Sequence, residues 1–118
     1  MTRGLGYTLA VFFMALAFMA APAHAATFTV DDFNDVTDVA PGAGGCATAG
    51  GKCTLRAAIR EANALFDADT IILPAGVYTL TIGGAGEEDG DTGDLDINNP
   101  VTIIGAGAGT TEINGNGI

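Results

Sequence analysis

The residues best placed for chemistry are carboxylates. Between Glu87 and Asp96 the chain reads Glu-Glu-Asp-Gly-Asp-Thr-Gly-Asp-Leu-Asp, and Asp89, Asp91 and Asp94, spaced by glycine, can in principle offer hard oxygen ligands to a calcium ion. The spacing does not match the EF-hand loop, and no terminal Glu stands at the distance for bidentate ligation. A solvated loop is therefore the preferred reading, with the three aspartates kept as a weak metal candidate and no cofactor expected. Fourteen acids also leave a paired-carboxylate glycosidase compatible with composition. Serine and cysteine nucleophile systems are excluded: the chain has no Ser, its one His is His24, and its two cysteines are expected to pair.

Those cysteines, Cys46 and Cys53, are separated by six residues. Close spacing of an even pair in an exported chain predicts one disulfide closing a small loop. Two thiols are too few for a structural metal, and the spacer is longer than that of a redox-active pair. The glycine-rich stretch 105–109 follows a predicted strand, but the residues after it read as strand and turn. A corner is thus expected there, since a phosphate cradle needs a helix opening directly behind the loop. Asn114 and Asn116 suit turn positions that tolerate left-handed backbone.

Export is read from the N-terminus. Arg3 is the only charge before Asp31, and Leu9 to Ala21 is a run of thirteen residues without a polar side chain. That length fits a signal peptide and falls short of the roughly 20 residues of a spanning helix. Ala23-His24-Ala25 supplies small residues at both positions a signal peptidase reads, placing cleavage after Ala25 and removing His24. No Cys lies nearby for lipid modification. The expected destination is the periplasm, the cell surface or the extracellular space, with no membrane span after cleavage.

Cleavage takes 25 of the 118 residues and leaves 93, enough for one small domain. Three basic residues (Lys52, Arg56, Arg60) then stand against fourteen acidic ones, so no basic patch exists to displace counter-ions from a phosphate backbone. Nucleic acid and anionic lipid are poor partners. Sixteen of the eighteen glycines remain, which implies many tight turns.

The elements that must hold these residues are one helix and several short strands. Residues 27–33 predict a strand and 34–52 a loop. Thr54 is the expected N-cap of a helix carrying Leu55, Ile59, Ala62 and Phe66 on one face, widened by Ala58 and Leu65, with Arg56, Arg60 and Glu61 pointing elsewhere. Ala57 occupies the third helical position, where a Glu would complete a capping box, so Ala57→Glu is expected to stabilise the helix. Further strands are predicted at 70–73, 77–82, 95–97, 101–104 and 111–113, separated by turn chemistry. An offset of 23 residues brings Ile72 onto Leu95 and Ile118, Tyr78 onto Val101 and Leu80 onto Ile103, the kind of register a solenoid uses.

Cys53-Thr-Leu-Arg-Ala-Ala58, Ile59-Arg-Glu-Ala-Asn63, Ala68-Asp-Thr-Ile-Ile-Leu-Pro-Ala-Gly-Val-Tyr-Thr-Leu-Thr81, Thr92-Gly-Asp-Leu-Asp-Ile97 and Val101-Thr-Ile-Ile-Gly-Ala-Gly107 together resemble the CSLREA-type N-terminal module of bacterial exported, pectin-lyase-like proteins. Ala57 departs from the Glu of the namesake motif. The resemblance spans residues 27–118 and implies a mainly β fold: the start of a right-handed parallel β-helix, about two coils long, with a capping strand and one amphipathic helix. It divides the chain into a signal at 1–25, a cap with disulfide loop and helix at 26–68, and first coils at 69–118. Because so few coils precede Ile118, a truncated reading frame is expected. The implied function is a non-catalytic cap of a surface-associated or secreted protein, contacting carbohydrate or another protein, with self-association through the open last coil. The alternative is the non-catalytic beginning of a polysaccharide-active lyase or hydrolase.

Overall fold

The structure is a computed structural model and describes residues 24–118. Most of the proposed signal peptide lies outside the described residues. Six elements follow in order: β1 (Thr27–Thr29), α1 (Leu55–Ala64), β2 (Asp69–Leu73), β3 (Gly76–Thr79), β4 (Val101–Gly105) and β5 (Thr111–Asn114). They form two small parallel sheets, one of three strands in the order β1-β2-β4 and one of two strands, β3-β5.

Apolar alternation sets the inward faces. Phe28, Ile71 and Ile103 stand opposite one another across the first sheet. Phe28 and Ile71 are buried, and Ile103 packs against the same core. The alternate residues, Ile72 and Ile104, are paired in register and face outward. Period-two patterning with one apolar face on the core produces this arrangement.

The chain passes from the first sheet to the second through Pro74-Ala75, entering β3 at Gly76. This glycine has φ +150°, and a Cβ there would run into the Phe33 ring, so the corner depends on its bare backbone. Phe33 in turn packs on Tyr78, with ring centroids 5.1 Å apart. The phenol of Tyr78 donates to the Pro74 carbonyl at 2.8 Å, which secures the corner from the other side.

Helix α1 closes the core. The Thr54 hydroxyl accepts from the Ala57 amide at 3.0 Å, as an N-cap should, and donates to the Val36 carbonyl. Leu55, Ala58, Ile59 and Ala62 pack with Phe28, Val30, Ile71, Leu73 and Tyr78. A disulfide joins Cys46 to Cys53 directly before the cap.

Several expectations are corrected. The start of a right-handed parallel β-helix is not found: the described residues make two small parallel sheets and one helix, without a solenoid coil. The physical reason lies in residues 80–100, which carry no strand at 95–97 and are drawn inward as a loop by bonds to Arg56 and Asn63. Loop length consequently replaces the 23-residue offset. Ile71 pairs with Ile103 and Tyr78 with Ile113, offsets of 32 and 35 residues.

β1 is also shorter than its apolar pattern suggests, ending at Thr29 before the backbone bends towards Cys53. The single buried helical stripe is likewise overturned. Arg56, Ala57 and Glu61 are all 0 % exposed, whereas Phe66, beyond the helix end, is 94 % exposed. Loops cover the helix on the flank that the sequence assigned to solvent.

Candidate functional site

Arg56 is the centre of the polar interior. It lies in the first turn of α1, one residue after Leu55, and is fully buried. Nε donates to Asp35 Oδ1 at 2.6 Å and one terminal nitrogen to Asp35 Oδ2 at 3.1 Å, forming a bidentate pair. Two further N–H groups reach the carbonyls of Gly90 and Gly93 at 2.8 and 2.7 Å. Those glycines have φ +70° and +69°. At Gly93 any Cβ would meet the Gly84 carbonyl, so this turn of the acidic loop requires glycine.

Asp35 accepts further bonds from the amides of Thr81 and Ile82, at 2.7 and 2.9 Å. Burial pushes its carboxyl up, but the Arg56 bond, the Ile82 and Thr81 amides and the Arg56 charge outweigh that, leaving it below the ordinary aspartate range. One ion pair thus joins the loop after β1, the exit of β3 and the acidic loop.

The other acids do similar work on backbone amides. Glu61 binds Gly42 and Gly44, Asp38 binds Ala40 and Ala47, and Asp31 binds Cys53. These amides belong to the disulfide loop or its approach, where the backbone lacks strand partners and side chains must satisfy it. Asp69, at the start of β2, accepts from the Ala26 amide.

The weak metal candidates do not converge. Asp91 pairs with Arg60 at 3.0 Å and accepts from the Thr37 hydroxyl at 2.9 Å. Asp89 and Asp94 are exposed. Among the described residues no group of three or more His, Cys, Asp or Glu is placed to hold a metal ion. The loop is organised instead by Glu87, whose carboxylate accepts from the Asp89, Asp91 and Thr92 amides. Desolvation raises that carboxyl, yet these amides bring it below its ordinary range against the Asp91 charge.

The 105–109 stretch ends β4 at Gly105 and then turns towards β5, and Asn116 adopts a left-handed conformation at φ 53°. Beside that turn lies an open, mostly apolar hollow of about 450 Å³, lined by residues including Leu73, Ile103, Gly105, Thr111 and Ile113. Among the described residues β4 and β5 each pair on one side only. Exposed Ile104, Ile113 and Ile118 continue this apolar character. Its lining holds no acid, base or thiol, so it is suited to contact rather than reaction.

Sequence reasoning missed Arg56, Asp35 and Glu61 as interior residues. A usable signal was present: alanines at 57, 58, 62 and 64 leave α1 without a continuous polar face, which suits a helix enclosed on several sides. Among the described residues no helix is long and apolar enough to cross a membrane. No protein family, curated protein or solved structure matches the chain.

Proposed function

We propose that the chain is a non-catalytic structural and contact module of an exported protein, acting in the periplasm, at the cell surface or outside the cell. One observation carries this reading: its two ends are chemically opposite. Around α1, the fully buried Arg56 and Glu61 are tied down by the Asp35 carboxylate and the Gly42 amide. At β4 and β5 there are unpaired strand edges and exposed isoleucines. An open edge with apolar side chains is a template for another strand or surface. The acids, which could have argued for hydrolysis, are employed largely as internal hydrogen-bond acceptors. The resemblance to CSLREA-type modules supports export and a contact role, and the disulfide ahead of the helix agrees with an oxidising compartment.

Sedimentation of the exported protein tests this. Self-association should rise with protein concentration and weaken in Ile104→Lys and Ile113→Lys, because a charge on an open edge opposes pairing. A monomer at all concentrations that binds neither polysaccharide nor protein would contradict a contact role. Release of reducing ends from a polysaccharide would favour an enzyme.

A further inference from the structure

Asp69 is only 1 % exposed, and its two carboxylate oxygens fare differently. Oδ1 accepts from the backbone nitrogen of Ala26 at 2.8 Å, while Oδ2 is buried without a hydrogen-bond partner among the described residues. A buried carboxylate with one neutral donor and an orphaned oxygen is a costly arrangement, since an uncompensated buried charge is strongly destabilising. The nitrogen opposite it is not arbitrary. Ala26 is the residue that becomes the first of the chain if signal cleavage follows Ala25.

The local geometry keeps that nitrogen in place independently of Asp69. The Ala26 carbonyl accepts from the Thr70 amide at 2.8 Å, and Thr27 pairs with Thr70 as β1 runs alongside β2. His24 and Ala25 are exposed, whereas Ala26 is half-buried and packs on the core. The scissile bond therefore sits where the chain enters the fold.

We propose that Asp69 is the receptor for the mature N-terminus, so that signal removal completes a buried ion pair and locks β1 onto β2. The inference rests on the export reading. In the cleavage step a signal peptidase adds water across the Ala25–Ala26 amide. The C–N bond breaks, the water oxygen stays on the Ala25 carbonyl carbon as a carboxylate, and both water protons pass to the Ala26 nitrogen, which becomes –NH3⁺. Before cleavage this nitrogen offers one neutral N–H, engaged with Oδ1. Afterwards the same position carries a positive charge and three donors, enough to serve Oδ1 and the orphaned Oδ2. The folded state then gains a charge-assisted pair that the uncleaved chain lacks.

The test uses the processed exported protein carrying Lys52→Arg, which leaves the N-terminal amine as the only acylable amine in the mature chain. Nα-acetylation restores a single neutral N–H at Ala26 and so reproduces the amide of the precursor. Denaturant unfolding of the free and acetylated forms should differ by at least tenfold in the folding equilibrium constant, the free amine being the more stable. In Asp69→Asn that difference should vanish. An acetylated protein as stable as the free one overturns the proposal, and this arm decides alone if Asp69→Asn does not fold. Persistence of the full difference in Asp69→Asn also overturns it. N-terminal sequencing separates the two levels: a first residue other than Ala26 defeats the cleavage reading itself, whereas an Ala26 start with no acetylation effect defeats only the role of Asp69.

Discussion

Arg56 has no exposed surface, yet four hydrogen bonds to Asp35, Gly90 and Gly93 occupy its guanidinium. Such a group is expensive to unpair. Arg56→Met keeps much of the side-chain volume but strands the Asp35 carboxylate, and it should cost about 3–5 kcal/mol of unfolding free energy. Arg56→Met with Asp35→Leu should cost less than the sum of the single changes, because the second substitution removes the charge left behind by the first. Denaturant melts of the three variants measure both quantities. Ala57 carries the opposite lesson. Its amide bonds the Thr54 hydroxyl as a capping box requires, but its own side chain is completely buried. Ala57→Glu should therefore lower the unfolding free energy, by at least the roughly 1–3 kcal/mol of overpacking, and with it the denaturant midpoint. This reverses the stabilisation expected from the sequence, since a glutamate at residue 57 starts inside the packed interior.

At the scale of elements, α1 is stabilised less by its own propensity than by what is bound around it. Thr54 caps it, the Cys46–Cys53 bridge anchors its approach, and Glu61 gathers the Gly42 and Gly44 amides against its side. The bridge closes a short loop, with a sequence separation of 7. Loop-closure entropy for so short a loop is roughly 2–3 kcal/mol at room temperature. Replacing both cysteines by alanine should lower unfolding free energy by about that amount, read from denaturant melts under non-reducing conditions. The acidic loop is the second element with a clear expectation. Glu87 organises it through three amides and Asp91 is engaged by Arg60, so its fold needs no cation. Millimolar calcium should leave the melting temperature within a degree or so. A rise of several degrees would mean that the ion binds the folded state preferentially.

Across the whole molecule, acids are the means by which loops without strand partners are fastened to a small core. Stability should consequently depend on pH through Asp35. For Asp35 the folded-state value is depressed below the ordinary one, so its contribution is fully present above the usual aspartate range. It is lost as pH falls through the unfolded-state value of about 3.9 and on towards the lower folded one. Unfolding free energy should decline over that acid window, and Asp35→Asn should show a shallower decline from a lower starting point. Equilibrium unfolding at a series of pH values distinguishes these curves. An equally steep acid limb in Asp35→Asn would assign the loss to other carboxylates.

Much of this architecture is local and could be read from residue order. Thr54 before an apolar helical pattern gives the cap, apolar strand patterning at 70–73 and 101–104 gives all but one residue of β2 and of β4, and a closely spaced pair of cysteines gives the bridge. Each depends on interactions spanning a few residues or on a side-chain period of two or 3.6. The partners of Arg56 lie 21 to 37 residues away, and those of Asp35 up to 47. No periodicity encodes such meetings. The missing strand at 95–97 follows from the same cause, because apolar alternation there competes with inward bonds from Arg56 and Asn63 to residues 90–96. Local sequence determined which segments could be helix or strand. Tertiary structure decided their register and which charges went inside, since the free energy of a buried charge depends on partners that only the completed fold brings together.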